Sequence, residues 1–260
     1  MSEINGKPIL EGQGVTKEFG GLQAVDNVDF YLQEGEILGL IGPNGAGKTT
    51  LINLITGTIP ITRGEISFKG RLIVGLPSYK IGRMGISRTF QVVKPFRGMT
   101  VLENAAVGAM FGRNGLKRST QRALGKAAEV LEFVGLSTKS DMLADGLNVP
   151  ERKRLELAKA LAMEPEVLLL DEVMAGLNPS EVDEAVGLIK RIRDSGVTIL
   201  VIEHVMRAIT GVSDRIFVLH HGQKIADGPP EQVMNDEQVI QAYLGKRYGR
   251  AQREGEDAGD

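Results

Sequence analysis

Gly42-Pro43-Asn44-Gly45-Ala46-Gly47-Lys48-Thr49 decides the fold. It satisfies G-x-x-x-x-G-K-[ST], with the apolar run Ile37-Leu-Gly-Leu-Ile41 before it and a helical pattern from Thr49 to Ile55 after it. A strand passing through a glycine-rich turn into a helix is the context a phosphate-binding loop requires. Gly45 and Gly47 put no Cβ between backbone N–H groups and phosphate oxygens, and the helix N-terminus beyond them adds a favourable dipole. Lys48 supplies positive charge for β and γ phosphates, and the Thr49 hydroxyl is placed to ligand Mg²⁺. Pro43, Asn44, Ala46 and Thr50 complete the candidate nucleotide site. The alternative is an ordinary Gly-rich strand-to-helix turn, and the full motif in this setting argues against it.

Outward from the loop, Val167 to Leu170 and most of Val197 to Ile202 are also apolar without alternation, the pattern of parallel strands covered by helices on both faces. Helical patterns run from Gln121 to Val134, from Glu151 to Met163 and from Ser180 to Ser195. The last has Glu181 and Asp183 in its first turn and Gly196 past its end. Strands alternating with helices predict βαβ crossovers and an α/β fold. Val28, Phe30 and Leu32 alternate with Asp29 and Tyr31, predicting an antiparallel β start. Ile216 to Leu219 and Lys224 to Ala226, joined through His221-Gly222-Gln223, predict a late hairpin. The stretch from about Gly70 to Leu147 lacks long β-branched runs and is assigned to a mostly helical lobe inserted between two core strands. One domain is expected over 1–245: a core with its β subdomain over about 1–90 and 163–245, and the helical lobe over about 91–162. The charged, glycine-containing stretch 246–260 is expected to be a disordered tail.

Bulk properties bound the function. A chain of 260 residues is long enough for one large α/β domain. Lys and Arg total 31 against 33 Asp and Glu, a formal charge of −2, which argues against a protein that coats nucleic acid. The absence of cysteine excludes disulfides, thiolate nucleophiles and Cys-ligated metal centres. The first residues lack the order of a signal peptide, and no apolar run reaches the roughly 18 residues of a spanning helix, so a soluble or peripheral protein is expected.

Asp171-Glu172 ends the run from Val167. Neighbouring strand residues point to opposite sides, so the two acids can divide the work: Asp171 supporting hydrated Mg²⁺, Glu172 polarising the water that attacks the γ phosphate. Two acids after a strand are otherwise a solvated strand end, a reading that loses weight with a phosphate loop upstream.

The order of phosphate loop, Gln91, helix, Asp171-Glu172, Ala175-Gly-Leu-Asn-Pro179 and His204 resembles the ABC ATPase family, over nearly the whole chain to about Leu244. The resemblance implies a P-loop NTPase (RecA-like) core with an N-terminal antiparallel β subdomain and an inserted helical subdomain, which binds ATP with Mg²⁺ and dimerises around it. Gln91 in Ser87-Arg-Thr-Phe-Gln91 matches the glutamine that touches Mg²⁺ and the attacking water. His204 matches the switch histidine that contacts the γ phosphate and works with Glu172. Phe19 matches the aromatic that stacks on adenine, with Val25 beneath the ring; stacking needs only a π face and apolar walls. From the residues alone, the alternatives are a structural His204 and a core Phe19 beside Gly20-Gly21.

Gly85-Ile-Ser-Arg-Thr-Phe-Gln91, Met99-Thr-Val-Leu-Glu-Asn104, Asp227-Gly-Pro-Pro-Glu-Gln-Val233 and Val239-Ile-Gln-Ala-Tyr-Leu-Gly245 look like the importers of branched-chain amino acids and their urea and amide relatives. That likeness implies membrane permease subunits as partners, a solute-binding protein acting indirectly, no nucleic acid, and a peripheral place on the cytoplasmic face of the membrane. Lys94, Phe96, Arg97 and Met99 are candidate permease contacts in a groove near Gln91 to Gly115; the alternative is a solvated loop with two buried apolar residues.

The sequence departs from the family at Leu147-Asn148-Val149-Pro150-Glu151, where a Leu-Ser-Gly-Gly-Gln type signature would grip the opposing subunit's γ phosphate. Pro150 donates no N–H, and Glu151 repels ATP unless it is paired, with Arg152 or Arg154 as candidates. Pro150 also suits a helix start, so the segment can serve as a cap. A homodimer, still possible, would have two weakened sites, so a heterodimer with a second ABC ATPase subunit is favoured, with asymmetric hydrolysis. Val173-Met174 stand where a Pro commonly follows the acid. The alternatives are a nucleotide-binding regulatory ABC subunit with weak hydrolysis, or a non-transport ABC ATPase acting on DNA ends or ribosomes. The latter typically carries a long coiled coil or two ATPase halves, and this chain has neither.

Overall fold

The computed structural model describes residues 7–90, 94–114 and 119–244. The chain begins with a long hairpin, β1 (Leu10–Phe19) and β2 (Leu22–Leu32). In β2 the side chains of Val28, Phe30 and Leu32 are buried and Asp29 is exposed, the alternation that its sequence predicts. β3 (Ile37–Ile41) is buried throughout and leads through the glycine-rich loop into α1 (Lys48–Ile55). β4 (Arg63–Phe68) and β5 (Arg71–Leu72) return to the first sheet, which has the antiparallel order β2-β1-β4-β5.

After α2 (Ser78–Met84), β6 (Ile86–Arg88) joins a second sheet. The stretch from Gly70 is therefore not helical throughout: β5 belongs to the antiparallel sheet and β6 to the parallel one. Both are too short for their periodicity to declare itself. Beyond Arg88, α3 (Val101–Phe111), α4 (Thr120–Phe133) and α5 (Val149–Ala162) enclose a core of their own, built on Val101, Ala105, Ala109, Leu131 and Leu155.

The chain then runs through β7 (Val167–Asp171), α6 (Pro179–Asp194), β8 (Thr198–Ile202) and α7 (Met206–Val212). It finishes with the hairpin β9 (Arg215–His220) and β10 (Gln223–Gly228), then α8 (Pro230–Met234) and α9 (Glu237–Leu244). The second sheet has the order β10-β9-β3-β8-β7-β6, parallel except for β10. Alternate residues of its buried strands serve opposite layers. Leu38, Leu40, Leu169 and Leu200 pack towards α1 and the antiparallel sheet, while Ile37, Ile41, Leu168, Leu170 and Val201 pack towards α6 and α7. Burying both faces explains why β3, β7 and β8 are apolar without alternation. It also sets the carboxyl ends of these strands side by side, where a parallel sheet presents its ligand crevice.

α3 crosses α5 closely at Gly108, where a Cβ would lie 2.2 Å from the Lys159 carbonyl oxygen. An Ala in place of a free helical Gly gains about 1 kcal/mol. Here Gly108→Ala is expected instead to destabilise by about 1–3 kcal/mol, read as a lower urea midpoint at unchanged slope; a raised midpoint would show that the helices do not meet this closely.

Candidate active site

The phosphate loop is braced from outside. Gly222, in the turn between β9 and β10, donates its N–H to the Ala46 carbonyl at 3.0 Å and accepts from the Asp26 N–H at 2.8 Å. Gly47 has a φ of 103°, and a Cβ there would stand 2.4 Å from the Ala24 carbonyl oxygen, so no larger residue fits. At Gly45 the constraint is φ alone, because a Cβ would meet open space. Gly47 precedes α1 with no side-chain cap, which leaves the first-turn amides for an anion. The Lys48 ammonium is buried and donates to the carbonyls of Gly42 at 2.6 Å and Pro43 at 3.0 Å. Burial lowers its pKa, while Glu172 and Asp171 pull it back up. Asn44, Gly45 and Thr49 are exposed at the mouth of the loop, Pro43 and Thr50 are half-buried, and Ala46 is buried.

Asp171 is the last residue of β7 and Glu172 lies just beyond it in the left-handed region, so a turn and not strand alternation sets the relation of the two acids. Asp171 is buried and its Oδ2 accepts from Arg88 Nη2 at 3.2 Å. Arg88 also donates to Asn53 Oδ1 at 2.6 Å and lies 4.6 Å from the Phe90 ring centre. Burial raises the Asp171 pKa, an effect the Arg88 guanidinium opposes. Glu172 leaves the strand with a φ of 52°, its N–H bonded to the Ile202 carbonyl at 3.0 Å. His204 is exposed, with Nδ1 at 3.9 Å from Glu172 Oε1. Lys48, Asp171, Glu172 and His204 thus come together at the ends of β3, β7 and β8. Gln91 lies outside the described residues, as do Gly115 and the stretch 246–260.

Three charged groups here escaped the sequence reading. Arg88 lay within the quoted Gly85 to Gln91 stretch, but only the pairing of β6 with β7 puts it beside Asp171. Glu203 is 1% exposed; its Oε1 accepts the Met174 N–H at 2.6 Å, its Oε2 has no partner, and burial raises its pKa. Lys153, on α5, donates to the carbonyls of Glu172 at 3.4 Å and of Ala175.

Phe19 is 48% exposed at the end of β1, with Lys17 Nζ 4.8 Å from its ring centre, which disposes of the core alternative. Val25 does not fit its expected place beneath a ring. It is fully buried in the core beside Gly47, so it supports the loop from within and offers no surface to a ligand. Lys94 and Arg97 are exposed, as is Phe96, and Met99 is half-buried, so the loop does not carry two buried apolar residues. Buried Asn104 pins it instead, accepting from the Phe96 N–H at 2.7 Å and donating to the Phe96 carbonyl at 3.2 Å.

The segment Leu147 to Glu151 is closed on itself. Asn148 Oδ1 accepts the Glu151 N–H at 3.0 Å, and Glu151 Oε2 accepts the Asn148 N–H at 3.1 Å, a complete capping box with Pro150 in the first turn of α5. The partner of Glu151 is neither Arg152 nor Arg154. It is Lys139, because Arg152 is spent on the carbonyls of Leu147 and Asp145 and Arg154 on Glu184.

A phosphate loop at the end of one parallel strand, an acid pair at the end of another with β8 between them, an antiparallel β layer and a helical lobe define an ATP-binding cassette ATPase. The chain belongs to the ABC transporter family, whose model matches residues 25–175, and a model described as a branched-chain amino acid ATP-binding cassette transporter matches residues 223–249. It is 43% identical to the high-affinity branched-chain amino acid transport ATP-binding protein LivG of Escherichia coli (strain K12) over 252 residues, covering 92% of this chain and 99% of that one. With BraF, a protein of the same description from Pseudomonas aeruginosa, it shares 42% identity at the same coverage. Among solved structures it is similar to the ADP conformation of MJ1267, an ATP-binding cassette of an ABC transporter, with a TM-score of 0.85, 31% identity and coverage of 93% and 100%.

The Lys139 hydrogen bond holds the Glu151 carboxyl below the usual carboxylate range. A depressed acid pKa stabilises the fold above the unfolded value and ceases to do so as pH falls through the folded one. Lys139→Met is therefore expected to lower stability by about 0.5–1 kcal/mol at neutral pH, with the gap in melting temperature from the parent closing in acid. A gap that persists in acid would mean that the pair is not its source.

Proposed function

We propose that this chain is the energy-coupling ATPase of an importer for branched-chain amino acids, docked by membrane permease subunits on the cytoplasmic face. The observation that carries the catalytic reading is the meeting of Lys48, Asp171, Glu172 and His204 at one edge of the parallel sheet. The amides of the loop and of α1, with Lys48, suit the β and γ phosphates of ATP, and the exposed Phe19 suits its adenine. Glu172 takes a proton from the water that attacks the γ phosphorus, and His204, within 3.9 Å of Glu172, contacts the γ phosphate.

Thr49 and Asp171, with Gln91, would hold Mg²⁺, which when bound neutralises charge on the phosphates. Among the described residues no cluster of three or more His, Cys, Asp and Glu could hold a metal, which suits an ion held largely by phosphate and water. Likeness to LivG and BraF supports the solute class, and with it a solute-binding protein acting through the permease. No helix among the described residues is long and apolar enough to cross a membrane, in keeping with a subunit that reaches the bilayer through partners.

The closed capping box at Asn148 to Glu151 favours a second, different ATPase subunit. That subunit would supply the signature facing this chain's loop, while the site on the partner's loop would be the weaker one. In the complex purified from membranes through this chain, Glu172→Gln should keep ATP binding and lose turnover by about 10²–10⁴-fold, whereas Lys48→Ala should lose binding. Changing the partner's equivalent acid should cost less; equal losses would defeat the asymmetry, and ATP-dependent uptake of no branched-chain amino acid by proteoliposomes would defeat the solute.

A further inference from the structure

Glu172 sits in the left-handed region at φ 52°, which costs a residue with a side chain on the order of 1 kcal/mol or more. None of Glu172, Val173 and Met174 is a Gly or Pro, so residue type does not set this turn. Beside the backbone bonds of Ala175 N–H to the Glu172 carbonyl at 3.3 Å and of Glu172 N–H to the Ile202 carbonyl, two oppositely charged side chains from distant elements hold it. Lys153, in the second turn of α5, bonds the carbonyls at both ends of the turn, Glu172 and Ala175. Glu203, following β8, accepts the Met174 N–H between them. Both are charge-assisted bonds to backbone and stronger than neutral ones. A carboxylate kept 1% exposed with one oxygen unpartnered is a costly way to bind a single amide, unless the position of that amide matters.

The placement of each group extends the reach of the grip. Glu203 is joined directly to His204, whose imidazole stands 3.9 Å from the Glu172 carboxylate. Lys153 lies one turn into the helix that begins at the Asn148–Glu151 box, so a shift of α5 moves an ammonium bonded to the backbone of Glu172.

We propose that Lys153 and Glu203 are positioning residues for the Glu172 carboxylate, and that Lys153 passes movement of α5 to the turn that carries it. This rests on the reading of Glu172 as the group that takes the proton from water. A side chain misplaced by about 1 Å costs on the order of a hundredfold in rate.

The test uses the complex purified from membranes through the full chain, carrying Lys153→Met, Lys153→Arg or Glu203→Gln, with kcat, KM for ATP, equilibrium ATP binding and melting temperature measured for each. Lys153→Met should lower kcat by about ten- to a hundredfold with ATP affinity within about twofold of the parent. Lys153→Arg should recover most of the rate, and Lys153→Met added to Glu172→Gln should cost nothing further. Unchanged kcat, or a parallel fall in kcat, affinity and melting temperature without rescue by Arg, would overturn the proposal. Should Lys153→Met fail to fold, Glu203→Gln decides: reduced kcat at unchanged affinity supports positioning, and unchanged kcat refutes it. Glu172→Gln alone separates the two layers, because full turnover in that variant would remove the catalytic reading itself, whereas its loss beside an unaffected Lys153→Met would remove only the positioning.

Discussion

Parallel hydrogen bonding of β3 and β7 to the two sides of β8 sets the phosphate loop, the acid pair and the Glu203-His204 segment side by side. The register sets Leu40 and Asp171 level with Ile202, so the chain leaves all three strands at nearly the same height. The phosphate loop, the acid pair and the Glu203-His204 segment follow from those points. A slip of one residue in β7 would take Asp171 out of register with Ile202 and away from Arg88. The register is held by burial of both sheet faces, since any slip would also move leucines between two filled layers. The apolar core and the geometry of catalysis are therefore one constraint.

Along that edge the charges are concentrated and half-hidden. Lys48, Arg88, Asp171 and Glu203 are each buried or nearly so, and burial shifts each away from its charged form. Taking such groups out of water costs several kcal/mol each before pairing, more than a fold would accept for stability alone. Opposite charges and backbone dipoles offset the cost: Asp171 with Arg88, Lys48 with loop carbonyls, Glu203 with an amide, Lys153 with two carbonyls. These perturbed groups gather at the strand ends that also carry the phosphate loop.

What the sequence disclosed and what it withheld divide along the range of the interactions. The loop, the unalternating strands, the β2 alternation and helices α1, α4, α5 and α6 depend on neighbours in the chain, and their residues announced them, whereas α3 carried no such pattern. Arg88, Lys153 and Glu203 depend on partners far along the chain, and nothing in their surroundings names those partners. β6 hid because a three-residue strand has no period, so the stretch from about Gly70 gives no sign of it. Charge alone suggested Arg152 or Arg154 for Glu151, both nearby in sequence, whereas the three-dimensional path brings Lys139 there. Val25 is a related case: the family resemblance implies a place beneath the adenine ring, but only packing tells that it lies in the core beside Gly47.

Two helix starts in this chain show opposite treatment of the same backbone groups. α1 begins without a side-chain cap, beneath a loop whose glycines keep it open, and Lys48 stands ready as counter-charge. α5 begins with Asn148 and Glu151 satisfying each other, Pro150 removing an N–H, and a carboxylate neutralised by Lys139. An N-terminus whose free amides are consumed by its own side chains has little left to offer a phosphate, and a paired carboxylate there repels one less without attracting it. One helix start is thus left open and the other is closed by its own side chains. Where α5 bears on ATP chemistry, its bonds point inward: Lys153, a turn further on, reaches the backbone of Glu172. α5 is closed at its start by its own side chains and, a turn further on, bonded to the backbone that carries Glu172.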